Sequence, residues 1–129
     1  ARECDVLICV TPGSPSTYKI VNAEVLNALG PNGTLINVSR GSVVDEAALI
    51  SALHSGALGW AGLDVFEAEP NVPKALRDLP NTVLLPHVGS GTMETRAAMG
   101  DLTVENLLQH LKDGTVVSAV PECTHLLAT

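Results

Sequence analysis

Arg40, Asp64, Glu69 and His87 are the residues whose types and spacing suit a single reaction. Each stands at or just beyond the end of a short apolar run. Ser39-Arg40-Gly41 follows Thr34 to Val38, and Asp64 closes the run that begins at Trp60, with Glu67 and Glu69 just beyond. Pro86-His87 follows Thr82 to Leu85, and Thr11-Pro12-Gly13 follows a first run, Val6 to Val10. A guanidinium grips a carboxylate with two hydrogen bonds and polarises a carbonyl beside it. A histidine gives or takes a proton near neutral pH, and a neighbouring carboxylate favours the imidazolium and fixes the ring tautomer. These groups together suit reduction of a 2-oxo acid, or its reverse. General acid catalysis of this kind is typically worth ~10²- to 10⁴-fold in rate. The hydride must come from a cofactor, because no side chain supplies one.

Taken singly, each residue has a plainer reading. Arg40 can be a surface ion pair, His87 a loop histidine satisfied by backbone, and Glu69 a solvated carboxylate. Asp64 is harder to dismiss, since a carboxylate ending an apolar strand needs a partner, such as a helix N-terminus or a ligand. His54, His110 and His125 fall on helix faces or in the tail and are set aside. Ser39 and Ser90 lack the GxSxG surround of a hydrolase nucleophile. Cys4, Cys9 and Cys123 show no CxxC spacing, so neither a metal site nor a redox motif is expected, and reduced thiols in a cytoplasmic protein are.

The convergence matters more than any one residue, and it depends on the elements beneath it. The four runs are short, continuous and rich in β-branched residues, without apolar/polar alternation. Such runs fit strands of a parallel sheet covered on both faces. Between them lie helical stretches. Asn22 can cap a helix that ends at Gly30-Pro31, and Asp45 can cap a second, Glu46 to Ser55, that ends at Gly56. The third connection, Phe66 to Asn81, carries Pro70, Pro73 and Pro80 and reads as loop with one turn of helix near Lys74 to Asp78. Gly89-Ser90-Gly91-Thr92 reads as hinge and cap for the longest helix, Met93 to Lys112. Its stripe of Ala97, Gly100, Val104, Leu107, Leu108 and Leu111 lies at helical spacing. Strand and helix alternate, which predicts an α/β, Rossmann-like parallel sheet followed by a long C-terminal helix. Parallel strands put their carboxyl ends on one side, where open sheets of this kind bind ligands.

Composition narrows the partners. Of 129 residues, 46% are hydrophobic and 16% charged, enough apolar surface for a core and too little charge for disorder. The net charge of −7 argues against nucleic acid, and no apolar run is long enough for a helical membrane span. An anionic ligand must be held locally, by a placed arginine or backbone N–H groups.

In these segments the chain resembles the D-isomer-specific 2-hydroxyacid dehydrogenases. Asn37-Val38-Ser39-Arg40-Gly41-Ser42-Val43-Val44-Asp45-Glu46 is similar to the family's arginine motif. Ala61-Gly62-Leu63-Asp64-Val65-Phe66-Glu67-Ala68-Glu69-Pro70 is similar to its glutamate motif, and Leu84-Leu85-Pro86-His87-Val88-Gly89-Ser90-Gly91-Thr92 to its histidine motif. The third resembles most the branch of glyoxylate/hydroxypyruvate and hydroxyphenylpyruvate reductases. The resemblance implies that Arg40 binds the substrate carboxylate and carbonyl, that His87 is the acid/base and that Glu69 is its partner. It implies a cofactor site built from Thr11, Pro12, Val38, Asp64, His87 and Gly89. It also implies NADP or NAD as cofactor, with the branch favouring NADP, a small 2-oxo or 2-hydroxy acid as substrate, and a homodimer.

One expected part is missing. No GxGxxG occurs among the eleven glycines; the nearest start, Gly89-x-Gly91, has Glu94 where the third glycine belongs. The expectation is a C-terminal portion of a longer enzyme, with residues 1–91 as the second half of a cofactor domain. Residues 92–129 would be a helix and tail returning to a substrate domain. Alone, the chain is expected to bind NAD(P)H very weakly and to turn nothing over. Two other readings stand beside this one: a corepressor-like binding protein on the same scaffold, and a free-standing α/β module without catalysis.

Overall fold

A computed structural model describes residues 1–127. The chain divides into two units, Ala1–Gly89 and the segment from Ser90 onward. In the first, four strands form one parallel sheet in the order β1 (Val6–Cys9), β2 (Thr34–Asn37), β3 (Trp60–Leu63) and β4 (Thr82–Leu84). Helix α1 (Ala23–Leu29) joins β1 to β2, and α2 (Glu46–Ser55) joins β2 to β3. The single turn α3 (Lys74–Arg77) lies in the proline-rich connection to β4. The strands thus run as the apolar runs predict, and all four carboxyl ends face the same way.

The caps are those the sequence signals. The Asn22 side chain accepts the N–H groups of Glu24 and Val25 at 3.0 and 3.1 Å, and Asp45 accepts that of Ala48 at 3.2 Å. Gly56 ends α2 at φ 76°, a left-handed conformation that costs glycine little. The core lies between the sheet and α1 and α2. Leu26, Leu35, Leu49, Leu58 and Leu76 are fully buried, each worth ~1.5–3 kcal/mol relative to exposure.

The sheet departs from expectation on its other face. Cys9, Leu35, Ala61 and Leu63 point into the core, while the alternate residues Val6, Ile8, Trp60 and Val83 are 49–63% exposed within the unit. Both faces are apolar, as the continuous runs indicate, but only one is covered. The reason is topological. Each crossover takes the chain one strand further in the same direction, and with the usual single hand all the connections collect on one face.

The second unit is described by itself. Helix α4 (Met93–Asp113) is capped by Thr92 Oγ1, which accepts the Thr95 N–H at 3.1 Å. The Asn106 side chain holds Ser118 through two 3.0 Å hydrogen bonds, and a short 3₁₀ segment, Pro121–Leu126, follows. No residue of α4 is buried, so the stripe of Val104, Leu107, Leu108 and Leu111 stays uncovered within its unit. No helix among the described residues is long and apolar enough to cross a membrane.

Candidate active site

The site grows from two buried polar residues at strand ends. Asn37, the last residue of β2, points into the core and is 1% exposed. Its Oδ1 accepts both the N–H and the hydroxyl of Ser39, at 3.1 and 2.9 Å, and its Nδ2 donates to the Arg40 carbonyl at 3.0 Å. One side chain therefore folds the turn that presents Arg40, whose Nη1 donates back to the Ser39 carbonyl at 2.6 Å. That turn also touches the next strand's loop. A Cβ on Gly41 would sit 2.0 Å from the carbonyl of Phe66, so only glycine allows this approach.

Asp64, just past β3, is 4% exposed. Its two carboxylate oxygens each accept one backbone N–H at 2.8 Å, from Val88 and Gly89. These are the residues directly after His87, whose φ of 55° is uncommon for a non-glycine residue. Asp64 thus pins a turn that would otherwise relax, and the partner its burial demands is backbone.

His87 Nδ1 lies 2.8 Å from Glu69 Oε2, and the other Glu69 oxygen accepts the Phe66 N–H at 2.9 Å. An ionised carboxylate only accepts, so Nδ1 carries the proton and Nε2 is the free end of the ring. The His87 hydrogen bond first, and the Phe66 N–H second, hold the Glu69 carboxyl below the usual glutamate range. A lowered carboxyl pKa means that the pair is in place above the ordinary glutamate value. It is lost only as pH falls through the lowered one. A carbon-13 NMR titration of the Glu69 carboxyl should therefore show a midpoint below that of an exposed glutamate. His87→Ala should move it upward; an unmoved midpoint would mean that the pairing does not form in solution.

Arg40, Glu69 and His87 line one hollow of about 460 Å³, together with Gly13, Ser42 and Glu67. The three side chains that the sequence singles out for carboxylate binding and proton transfer therefore share a wall. The candidate cofactor residues do not line this hollow, His87 excepted. Val38 and Asp64 line an apolar groove on the bare sheet face, beside Trp60 and Val83. Thr11 and Pro12 are exposed beyond β1, where the Pro12 carbonyl accepts the Thr17 hydroxyl at 2.8 Å. The Gly89 N–H is taken by Asp64. Among the described residues no group of three His, Cys, Asp or Glu side chains is placed to hold a metal ion.

Sequence reasoning passed over three residues that build the site. Asn37 had a signal, a polar side chain on the core-facing side of an apolar strand. Gly41 and Lys19 had none. Lys19, at φ 50°, places its Nζ 3.6 Å from both Asp45 and Glu67, while Glu46 accepts the Glu67 N–H at 3.2 Å. These contacts tie the start of α2 to the loop that carries Glu69.

Residues 1–89 match the family described as D-isomer specific 2-hydroxyacid dehydrogenase, NAD binding domain. The chain is 54% identical to hydroxyphenylpyruvate reductase from Plectranthus scutellarioides over 120 residues, which are 93% of this chain and 38% of that protein. It is 52% identical to a glyoxylate/hydroxypyruvate reductase from Arabidopsis thaliana over the same shares of the two chains. Among solved structures it is similar to the NADPH-dependent glyoxylate/hydroxypyruvate reductase of Sinorhizobium meliloti in complex with NADP and malonate. That match has a TM-score of 0.91 and 56% identity, over 94% of this chain and 38% of the other. The chain thus spans about two fifths of the length of the relatives it matches.

Proposed function

Because this chain belongs to the D-isomer-specific 2-hydroxyacid dehydrogenase family, we propose that it carries the carboxylate-binding and proton-transfer groups of an NAD(P)H-dependent 2-oxo-acid reductase. Glyoxylate and hydroxypyruvate are the substrates in this reading, and the D-2-hydroxy acid is the product. The observation that carries it is the hollow shared by Arg40 and the 2.8 Å Glu69–His87 pair. Arg40 holds the substrate carboxylate and polarises the adjacent carbonyl. His87 delivers a proton from Nε2 to the carbonyl oxygen, and Glu69 holds the ring in place through Nδ1. A bound nicotinamide supplies the hydride.

The groove ending at Val38 and Asp64 suits a planar, largely apolar ring. Thr11, Pro12 and Gly89 extend the cofactor edge on either side of it. NADP is favoured over NAD, supported by the similarity to a reductase described as NADPH-dependent. We read residues 1–91 as cofactor domain and 92–129 as the returning helix, in an enzyme that works in the cytoplasm as a homodimer. No observation favours the corepressor-like reading.

A dinucleotide is gripped mainly at its pyrophosphate, by a glycine-rich turn and a helix N-terminus. The sequence has no GxGxxG, so the chain alone is expected to show no 2-oxo-acid reduction and only very weak NADPH binding by calorimetry. Activity is expected when the chain replaces the matching segment of the Sinorhizobium meliloti reductase, followed as loss of NADPH absorbance with glyoxylate or hydroxypyruvate. A folded chimera inert towards both acids would overturn the reading.

A further inference from the structure

The hollow of Arg40 and His87 is bordered by two acidic residues in different situations, Glu69 and Glu67. Glu69 is taken up by His87 at 2.8 Å. The Glu67 carboxylate has one partner among the described residues, Lys19, whose Nζ lies 3.6 Å from Oε1. Lys19 stands equally close to Asp45, but that carboxylate also accepts the Ala48 N–H and sits at the positive end of the α2 dipole. Glu46 lies in the first turn of α2 and accepts the Glu67 N–H at 3.2 Å. Of these acids, Glu67 alone relies on the lysine for its whole compensation. The lysine is fixed in place. Its backbone N–H donates to the carbonyl of Ser42, two residues after Arg40, at 2.8 Å, and its Nζ lies 5.7 Å from the centre of the Tyr18 ring. The backbone at Lys19 has φ 50°, where glycine is less strained, yet glycine carries no charge.

We propose that Lys19 sets the affinity of this hollow for an anionic substrate by neutralising Glu67, without touching the substrate itself. The proposal rests on the reading of Arg40 as the carboxylate-binding group. A carboxylate that enters the hollow meets Arg40, and it also meets the field of Glu67. With Lys19 in place that field is largely cancelled. Without it, a like charge stands in the wall of an anion site. Screening by water is incomplete here, since the Lys19 and Glu67 side chains are only 30% and 35% exposed. The substrate carboxylate keeps its charge from bound ketone to alcohol. The repulsion therefore weighs equally on the ground state and the transition state, so it acts on KM and not on kcat.

The test uses the chimeric reductase with glyoxylate. Lys19→Met keeps the side-chain stem and the backbone bond to Ser42. It is expected to raise KM about 3- to 10-fold, the size of one partly screened charge repulsion, with kcat within about twofold of the parent. Glu67→Gln removes the repelling charge and should lower KM or leave it unchanged. The double variant Lys19→Met/Glu67→Gln should return KM to the parent value or below it. Salt at about 1 M, where the Debye length is about 3 Å, should shrink the gap between Lys19→Met and the parent. A merely structural tie between α2 and the Glu69 loop gives the opposite pattern. Both single changes would then break the tie and raise KM together, with no recovery in the double variant. That pattern, or a Lys19→Met KM indistinguishable from the parent, would overturn the proposal while the active parent leaves the wider reading intact. If the folded parent chimera is inert, the wider reading fails and this one with it.

Discussion

Replacing His87 by asparagine in the chimeric reductase is expected to lower kcat for glyoxylate by ~10²- to 10⁴-fold, the usual worth of a positioned acid. KM should change little, because the proposed carboxylate ligand, Arg40, is untouched. Asparagine is chosen for the backbone. His87 sits at φ 55°, and asparagine is among the few residues that tolerate such a value. Its amide can still donate to Glu69, so the turn survives while the titrating ring is gone. The loss is then a loss of proton delivery rather than of structure. A kcat within a few-fold of the parent would remove His87 from the role of acid.

Asp64→Ala should be the most damaging single change to the first unit that leaves the leucine core untouched. Both carboxylate oxygens accept backbone N–H groups at 2.8 Å, from residues that are 24 and 25 positions away. Hydrogen bonds to charged groups are worth about 1.5–3 kcal/mol each. Solvent reaches Val88 and Gly89 once the carboxylate is gone, which softens the loss, so a combined cost of about 2–4 kcal/mol is expected. That is a large share of the 5–15 kcal/mol typical of a folded domain. Urea denaturation of the chain should show a lower midpoint with an unchanged slope. Asp64→Asn keeps one acceptor and should lose less. In the chimera, Asp64→Ala should also lower kcat, because the turn that aims His87 is no longer pinned. A stability change within about 0.5 kcal/mol, the range of ordinary surface substitutions, would show that Asp64 does not hold this turn.

The elements and the positions of the candidate site residues were legible in the chain because their signals are local. Four β-branched runs, the caps Asn22, Asp45 and Thr92, and the glycines that stop the helices all act within a few residues. Once the strands are parallel, Arg40, Asp64 and His87 must come out on one edge, and the topology bears this out. The family motifs lie in these same segments, so the resemblance and the physical reading agree on the same residues.

What holds those residues in place was decided by contacts that no local pattern encodes. The sequence places Asp64 at a strand end and shows that it needs a partner; only the packed loop after β4 supplies the N–H groups of Val88 and Gly89. Gly41 looks like any turn glycine until the Phe66 carbonyl lies where its Cβ would be. Lys19 looks like surface charge until folding brings Asp45 and Glu67 to it. The bare sheet face has the same origin. Composition makes both faces apolar, but which one is covered depends on strand order and crossover hand, and a succession of crossovers in one direction covers only one.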